Sequence, residues 1–187
     1  MNILRIGLAV FATVHLSACA ISGNKTPDEK RAIIQSMRTE VLNDLYRAKQ
    51  SARAEVANAP GYGVFSNANV NIVLASFGGG YGMVHNNANG KNTYMRMGEV
   101  GIGLGAGVKD YRIVFVFHDT ETMNDFTQHG WAFGGQADAA AKAGDKGGAV
   151  GGEAILDGVS VYQLTESGLA LQATVKGTKY WKDDKLN

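Results

Sequence analysis

Few side chains in this 187-residue sequence are spaced for chemistry. His15 belongs to an N-terminal segment expected to be removed, and His85, His118 and His129 have neither a cysteine nor an i+4 histidine beside them, the spacing from which a metal site is usually built. Asp119, Glu121 and Asp125 stand together, but acids at a helix start are ordinary partners of the helix dipole. No G-x-S-x-G nucleophile elbow occurs. Gly101-Ile102-Gly103-Leu104-Gly105-Ala106 fits the degenerate G-x-G-x-x-G/A pattern of a dinucleotide loop. Gly105 and Gly107 nevertheless continue a period-two alternation where a helix would have to begin, and no G-x-x-x-x-G-K-[ST] is present. The expectation is a chain that is not an enzyme and holds no cofactor or metal. One reactive side chain is left, Cys19, the only cysteine.

Cys19 closes an N-terminal segment with the order of a secretory signal. Arg5 precedes an apolar run from Ile6 to Leu16, and small residues follow. Those eleven residues, at ~1.5 Å each, span about half of the ~30 Å hydrocarbon core, too little for a permanent transmembrane helix. Leu16-Ser17-Ala18-Cys19 resembles the lipobox of bacterial lipoproteins, in which the cysteine is acylated and becomes the first residue of the mature chain. The alternative is an ordinary signal peptide with an incidental cysteine. A lone cysteine forms no intramolecular disulfide, which agrees with lipidation. By the same resemblance, Ala20 after the cysteine favours the outer membrane, facing the periplasm. Losing Arg5 leaves as many acids as bases, so acyl chains rather than polybasic attraction would hold the chain at a bilayer. The whole-chain net charge of +1 argues against a nucleic-acid partner.

The expected division is a signal at 1–18, a tether at 19–25 and one domain at 26–187. Thr26-Pro27-Asp28-Glu29 is a capping box with proline at the first helical position. Ile33, Met37, Val41, Leu45, Ala48, Ala52, Val56 and Ala59 follow at helical spacing, so one long helix is predicted over 26–59, ended by Pro60-Gly61. Its stripe either packs on the following sheet or lies on lipid with Arg31, Arg38, Arg47 and Arg53 reaching headgroups. A mixed-sign polar face and a stripe that narrows to alanine favour packing.

Beyond Pro60 the period changes to two. Strands are predicted near 62–66, 70–77, 80–85, 93–98, 100–108, 111–117, 131–142, 149–164 (broken at Asp157-Gly158) and 168–176, with a hairpin loop at Asn86–Gly90. A short helix starts at Asp119-Thr120, with Met123 and Phe126 inward. The fold class is therefore α+β: a long N-terminal helix on a curved or barrel-like antiparallel sheet spanning 60–181, with one short additional helix.

Of 25 glycines, only Gly7 and Gly23 precede residue 61. Gly78, Gly80 and Gly82 alternate, as do Gly101, Gly103, Gly105 and Gly107, so one face of each strand would be bare. Each interior glycine costs ~0.5–1 kcal/mol relative to alanine, so something must approach closely enough to offset it. The candidates are the long helix, sheet curvature, or an acyl chain in the groove. On the last of these, Phe77, Gly78, Gly80, Tyr81, Gly82, Met83, Gly101, Gly103 and Gly105 would form a lipid-binding set. Tyr94, Met95 and Met97 belong to the core or to the same site.

Pro60-Gly61-Tyr62-Gly63-Val64-Phe65-Ser66 and Gly78-Gly79-Gly80-Tyr81-Gly82-Met83-Val84 resemble the opening of the SYLF lipid-binding domain. Val100–Ala106, Trp131-Ala132-Phe133-Gly134 and Gly168-Leu169-Ala170-Leu171 follow in that family's order, over roughly residues 56–181. The resemblance implies phospholipid or membrane binding. Eukaryotic members bind phosphoinositides and some bind actin, neither of which a periplasmic protein would meet. Ala143–Gly148 stands where the family usually carries a Gly-Pro pair. Phospholipid is thus the expected partner. The rival expectation is a structural or assembly lipoprotein whose exposed helix stripe docks a protein.

Overall fold

The computed structural model describes residues 25–72, 75–101, 107–132, 153–156, 158–165, 168–169 and 178–187. Cys19, Gly103 and Gly105 lie outside these residues, as do parts of the strands expected near 100–108, 131–142, 149–164 and 168–176.

The capping box forms as the sequence dictates. The Thr26 hydroxyl accepts from the Glu29 amide at 3.3 Å, and the Glu29 carboxylate accepts from the Thr26 amide at 2.7 Å. That backbone bond holds the Glu29 carboxyl below its ordinary value. Helix α1 (Pro27–Ala48) follows, then α2 (Ala52–Asn58). The single helix predicted over 26–59 is corrected here. Met37, Val41 and Leu45 of the expected stripe are buried, and the departures lie at its two ends. Ile34 rather than Ile33 is fully buried, Ala48 is exposed, and the chain breaks at Lys49 before Ala52 and Val56 return to the core.

Strands β1 (Gly61–Ile72), β2 (Ala75–Asn86), β3 (Asn92–Gly101), β4 (Gly107–Phe117), β5 (Trp131–Ala132), β6 (Glu153–Leu156), β7 (Val159–Thr165), β8 (Gly168–Leu169) and β9 (Thr178–Lys182) form one antiparallel sheet. Its order is β5-β9-β3-β2-β1-β4-β7-β6, with β8 on β7. The strand predicted over 70–77 is instead the junction of β1 and β2. Val70 pairs with Phe77 and Ile72 with Ala75, a reversal that the apolar sequence there does not advertise. Helix α3 (Thr120–His129) links β4 to β5. Asp119 caps it by accepting from the Thr122 amide at 2.7 Å, and Met123 and Phe126 are buried, as the sequence predicts.

The sheet curls. Phe65 on β1 and Tyr180 on β9 lie three strands apart, about 14 Å in a flat sheet at ~4.8 Å spacing, yet their rings are 4.8 Å apart. Phe115 on β4 is one strand further from Tyr180, and those rings are 5.3 Å apart. The concave face therefore folds on itself around Phe65, Met95, Met97, Phe115, Phe117 and Tyr180, with α3 across one end. Among the described residues it is not a closed barrel, since no pairing there joins β5 to β6. The opposite face carries Tyr62, Val64, Met83, Tyr94, Val114 and Tyr162 and is covered by α1 and α2. Two ion pairs fasten that helix layer, since the Arg112 guanidinium reaches Glu40 at 2.9 Å and Asp44 at 3.1 Å.

Candidate functional site

The glycines are placed by this curl. Gly80 and Gly82 face the concave side, away from α1, so the long helix does not cover them. A Cβ on Gly82 would stand 2.2 Å from the Val64 carbonyl oxygen and 2.3 Å from the Phe65 ring. One on Gly80 would meet the Ser66 carbonyl oxygen at 2.2 Å and Met97 at 2.8 Å. Side chains of the neighbouring strands β1 and β3 thus lie across the bare strand. The tight concave side has little room, and glycine on β2 supplies it. Phe77 and Gly78 sit on β2, and Gly101 ends β3. Tyr81 and Met83 alternate with the glycines and pack toward the helix layer instead. The expected set is therefore split between two faces.

At one end of the concave face the missing side chains admit a polar group. Asn67, opposite Gly80, reaches across β2 to donate to Glu99, opposite Gly78, at 2.9 Å. Tyr111 donates to the same carboxylate oxygen. Burial pushes the Tyr111 hydroxyl far above its ordinary value, and the bond to Glu99 adds to the effect. Here one carboxylate oxygen is bound by two neutral donors.

A second polar group lies under the helix layer. His118 Nε2 is 2.9 Å from the Ser160 hydroxyl and 4.0 Å from Glu55, while Tyr162 donates to Glu55. Serine and acid approach the same ring nitrogen, so the acid cannot orient the imidazole through the other one, as a hydrolytic triad requires. Ser160 is also 1% exposed. The arrangement links His118, just after β4, with β7 and α2.

Two surface features remain. On the helix-bearing face of the sheet, Arg96 stands directly opposite Trp181, and Lys179 stands opposite Gly98. Trp181 is 37% exposed and its ring lies over Gly98, 3.2 Å from where a Cβ would be. Arg96 is bridged to Asp183 at 3.8 Å, while Lys179 is exposed. The second feature is a cleft of about 230 Å³ between the β2–β3 turn, α3 and the end of β9. None of these residues was expected as a site. Period-two reading of Lys179-Tyr180-Trp181-Lys182 does place Tyr180 inward and Trp181 outward, which was the available signal. Among the described residues no helix is long and apolar enough to cross a membrane, and no three metal-ligating side chains cluster.

Residues 98–187 match the family described as Ysc84, Las17-binding protein actin regulator. The glycine motifs at 60–66 and 78–84 precede the matched segment. Beta cell expansion factor A of Aeromonas veronii is 33% identical over 165 residues, 87% of this chain and 60% of that protein. The chain thus spans about three-fifths of that relative's length.

Proposed function

From the premise that this chain carries a domain of the Ysc84/SYLF family, we propose that it is a lipid-anchored envelope protein that binds phospholipid membrane surfaces without catalysing a reaction. The observation that carries this is the exposed Trp181 indole with Arg96 and Lys179 on the same face of β3 and β9. An indole has an apolar body and one N–H donor, which suits the boundary between acyl chains and headgroups. Cations beside it attract anionic lipid, at about 1 kcal/mol per Lys or Arg near the surface. That gain is modest. Leu16-Ser17-Ala18-Cys19 supports a second attachment through acyl chains on Cys19, each buried CH₂ adding ~0.8 kcal/mol. The anchor would then hold the domain at the outer membrane, and the basic–aromatic face would set its contact with the bilayer.

Two measurements test this. Metabolic labelling with a palmitate analogue should mark the wild-type chain and leave Cys19→Ser unlabelled. Co-sedimentation with vesicles of phosphatidylcholine and phosphatidylglycerol should pellet the purified chain, with Trp181→Ala and Arg96→Gln each weakening binding several-fold. A chain that stays in the supernatant at low salt would end the membrane proposal.

A further inference from the structure

We infer that the cleft between the β2–β3 turn and α3 is an oxyanion site for a phosphate-bearing ligand. Its volume of about 230 Å³ falls below the ~300–1,000 Å³ of pockets that enclose a whole drug-sized molecule, so it fits a headgroup or a small phosphate ester. Val84 and Met123 line it from the sheet and from α3. Its charge comes from Lys91, at the end of the turn, and Lys182, at the end of β9, and no aspartate or glutamate lines it. Among the described residues neither lysine forms an ion pair.

The turn makes the cleft rich in donors. The Asn86 carboxamide oxygen accepts from the amides of Ala88 at 2.9 Å and Asn89 at 3.2 Å. The Asn89 oxygen accepts from the Lys91 amide at 2.9 Å. With both oxygens engaged by the turn, each carboxamide keeps its NH₂ donor, and the Asn89 oxygen keeps one acceptor position. Two carboxamides and Lys91 of the turn, with Lys182 of β9, line one opening. A carboxylate would match one such charge. A phosphate, with its charge spread over several oxygens, matches both lysines and still has acceptors for the amides. The phosphate could belong to a membrane lipid or to a soluble ester. For the lipid source this rests on the membrane proposal above, and for the soluble source it does not.

Titration of the ¹⁵N-labelled full chain with glycerol 3-phosphate tests the soluble source. Saturable shifts are expected at the amides of Asn89, Lys91, Thr93 and Asn124, with the Lys91→Gln/Lys182→Gln variant binding at least tenfold more weakly. Lys25→Gln, which alters an exposed lysine outside the cleft, should bind as wild type. Vesicles of phosphatidylcholine with and without phosphatidylglycerol test the lipid source: the double variant should weaken the phosphatidylglycerol-dependent part of binding several-fold, leaving the share due to Arg96 and Lys179. Either response assigns the source. No shift at these amides together with vesicle binding unchanged in the double variant would overturn the site. Because both lysines are exposed, the double variant should keep the wild-type amide spectrum away from the cleft. If wild type fails to bind vesicles but still responds to glycerol 3-phosphate, the membrane proposal falls and the cleft stands.

Discussion

Gly79 and Gly80 are neighbours on β2 under opposite constraints. A Cβ on Gly79 would meet nothing within 4 Å, whereas one on Gly80 would press on the Ser66 carbonyl oxygen. Gly80→Ala and Gly82→Ala must displace backbone, and each should destabilise by about 1–3 kcal/mol, the usual range for overpacking. Gly79→Ala should be neutral, or stabilise by up to about 1 kcal/mol through the lost freedom of the unfolded chain. Urea denaturation of the three variants checks this, and equal effects would contradict the concave-face placement. Tyrosines give a second test at this scale. Burial raises Tyr46, Tyr62, Tyr81, Tyr111 and Tyr180 above the ordinary value of 10.0. Folding then favours the protonated hydroxyls, so their stabilisation is full below pH 10 and is lost as pH rises beyond it. Tyrosinate absorbance should lag behind that of free tyrosine and then rise in one step with the loss of near-ultraviolet circular dichroism. A smooth titration with the fold intact would refute the burial of these rings.

At the scale of elements, α1 holds the sheet through Ile34, Met37, Val41 and Leu45, all buried. Leu45→Ala should therefore cost about 2–5 kcal/mol, read from the same urea transitions. Ala48, one turn on, is exposed, and Ala48→Ser should leave stability within about 0.5 kcal/mol. Helix starts were legible in the sequence because their signals are local: Thr26 with Glu29, and Asp119 with Thr122. The Asn86–Gly90 turn was legible for the same reason, with Gly90 at φ 70°. The break at Lys49 was not, because no proline or glycine marks it. Nor was the β1–β2 reversal, which joins two strands through an apolar stretch.

The whole molecule explains what the glycines could not say alone. Their alternation in the sequence showed a bare strand face but not which side of the sheet it took. Only the curl decides that, bringing Phe65, Met97 and Asn67 across Gly80 and Gly82 while the helix layer packs on the other face. The buried stripe of α1 and α2 is accordingly core, not an exposed surface for lipid or a protein partner. The outward sites were hidden in the sequence for a related reason. Arg96 and Lys179 are far apart along the chain, and register alone sets them around Trp181. Lys91 and Lys182 likewise meet only because β9 pairs with β3 beside the hairpin.

Quenching of Trp181 emission by brominated phospholipids is the most direct measurement of membrane contact. A Trp131→Phe chain keeps an aromatic ring near Phe115 and Phe126 and leaves Trp181 as the only tryptophan. Vesicles containing phosphatidylglycerol brominated near the headgroup should shift its emission to the blue and quench it strongly, and lipids brominated near the chain ends should quench it weakly. Emission unchanged by either vesicle would contradict the claim that this face meets the membrane.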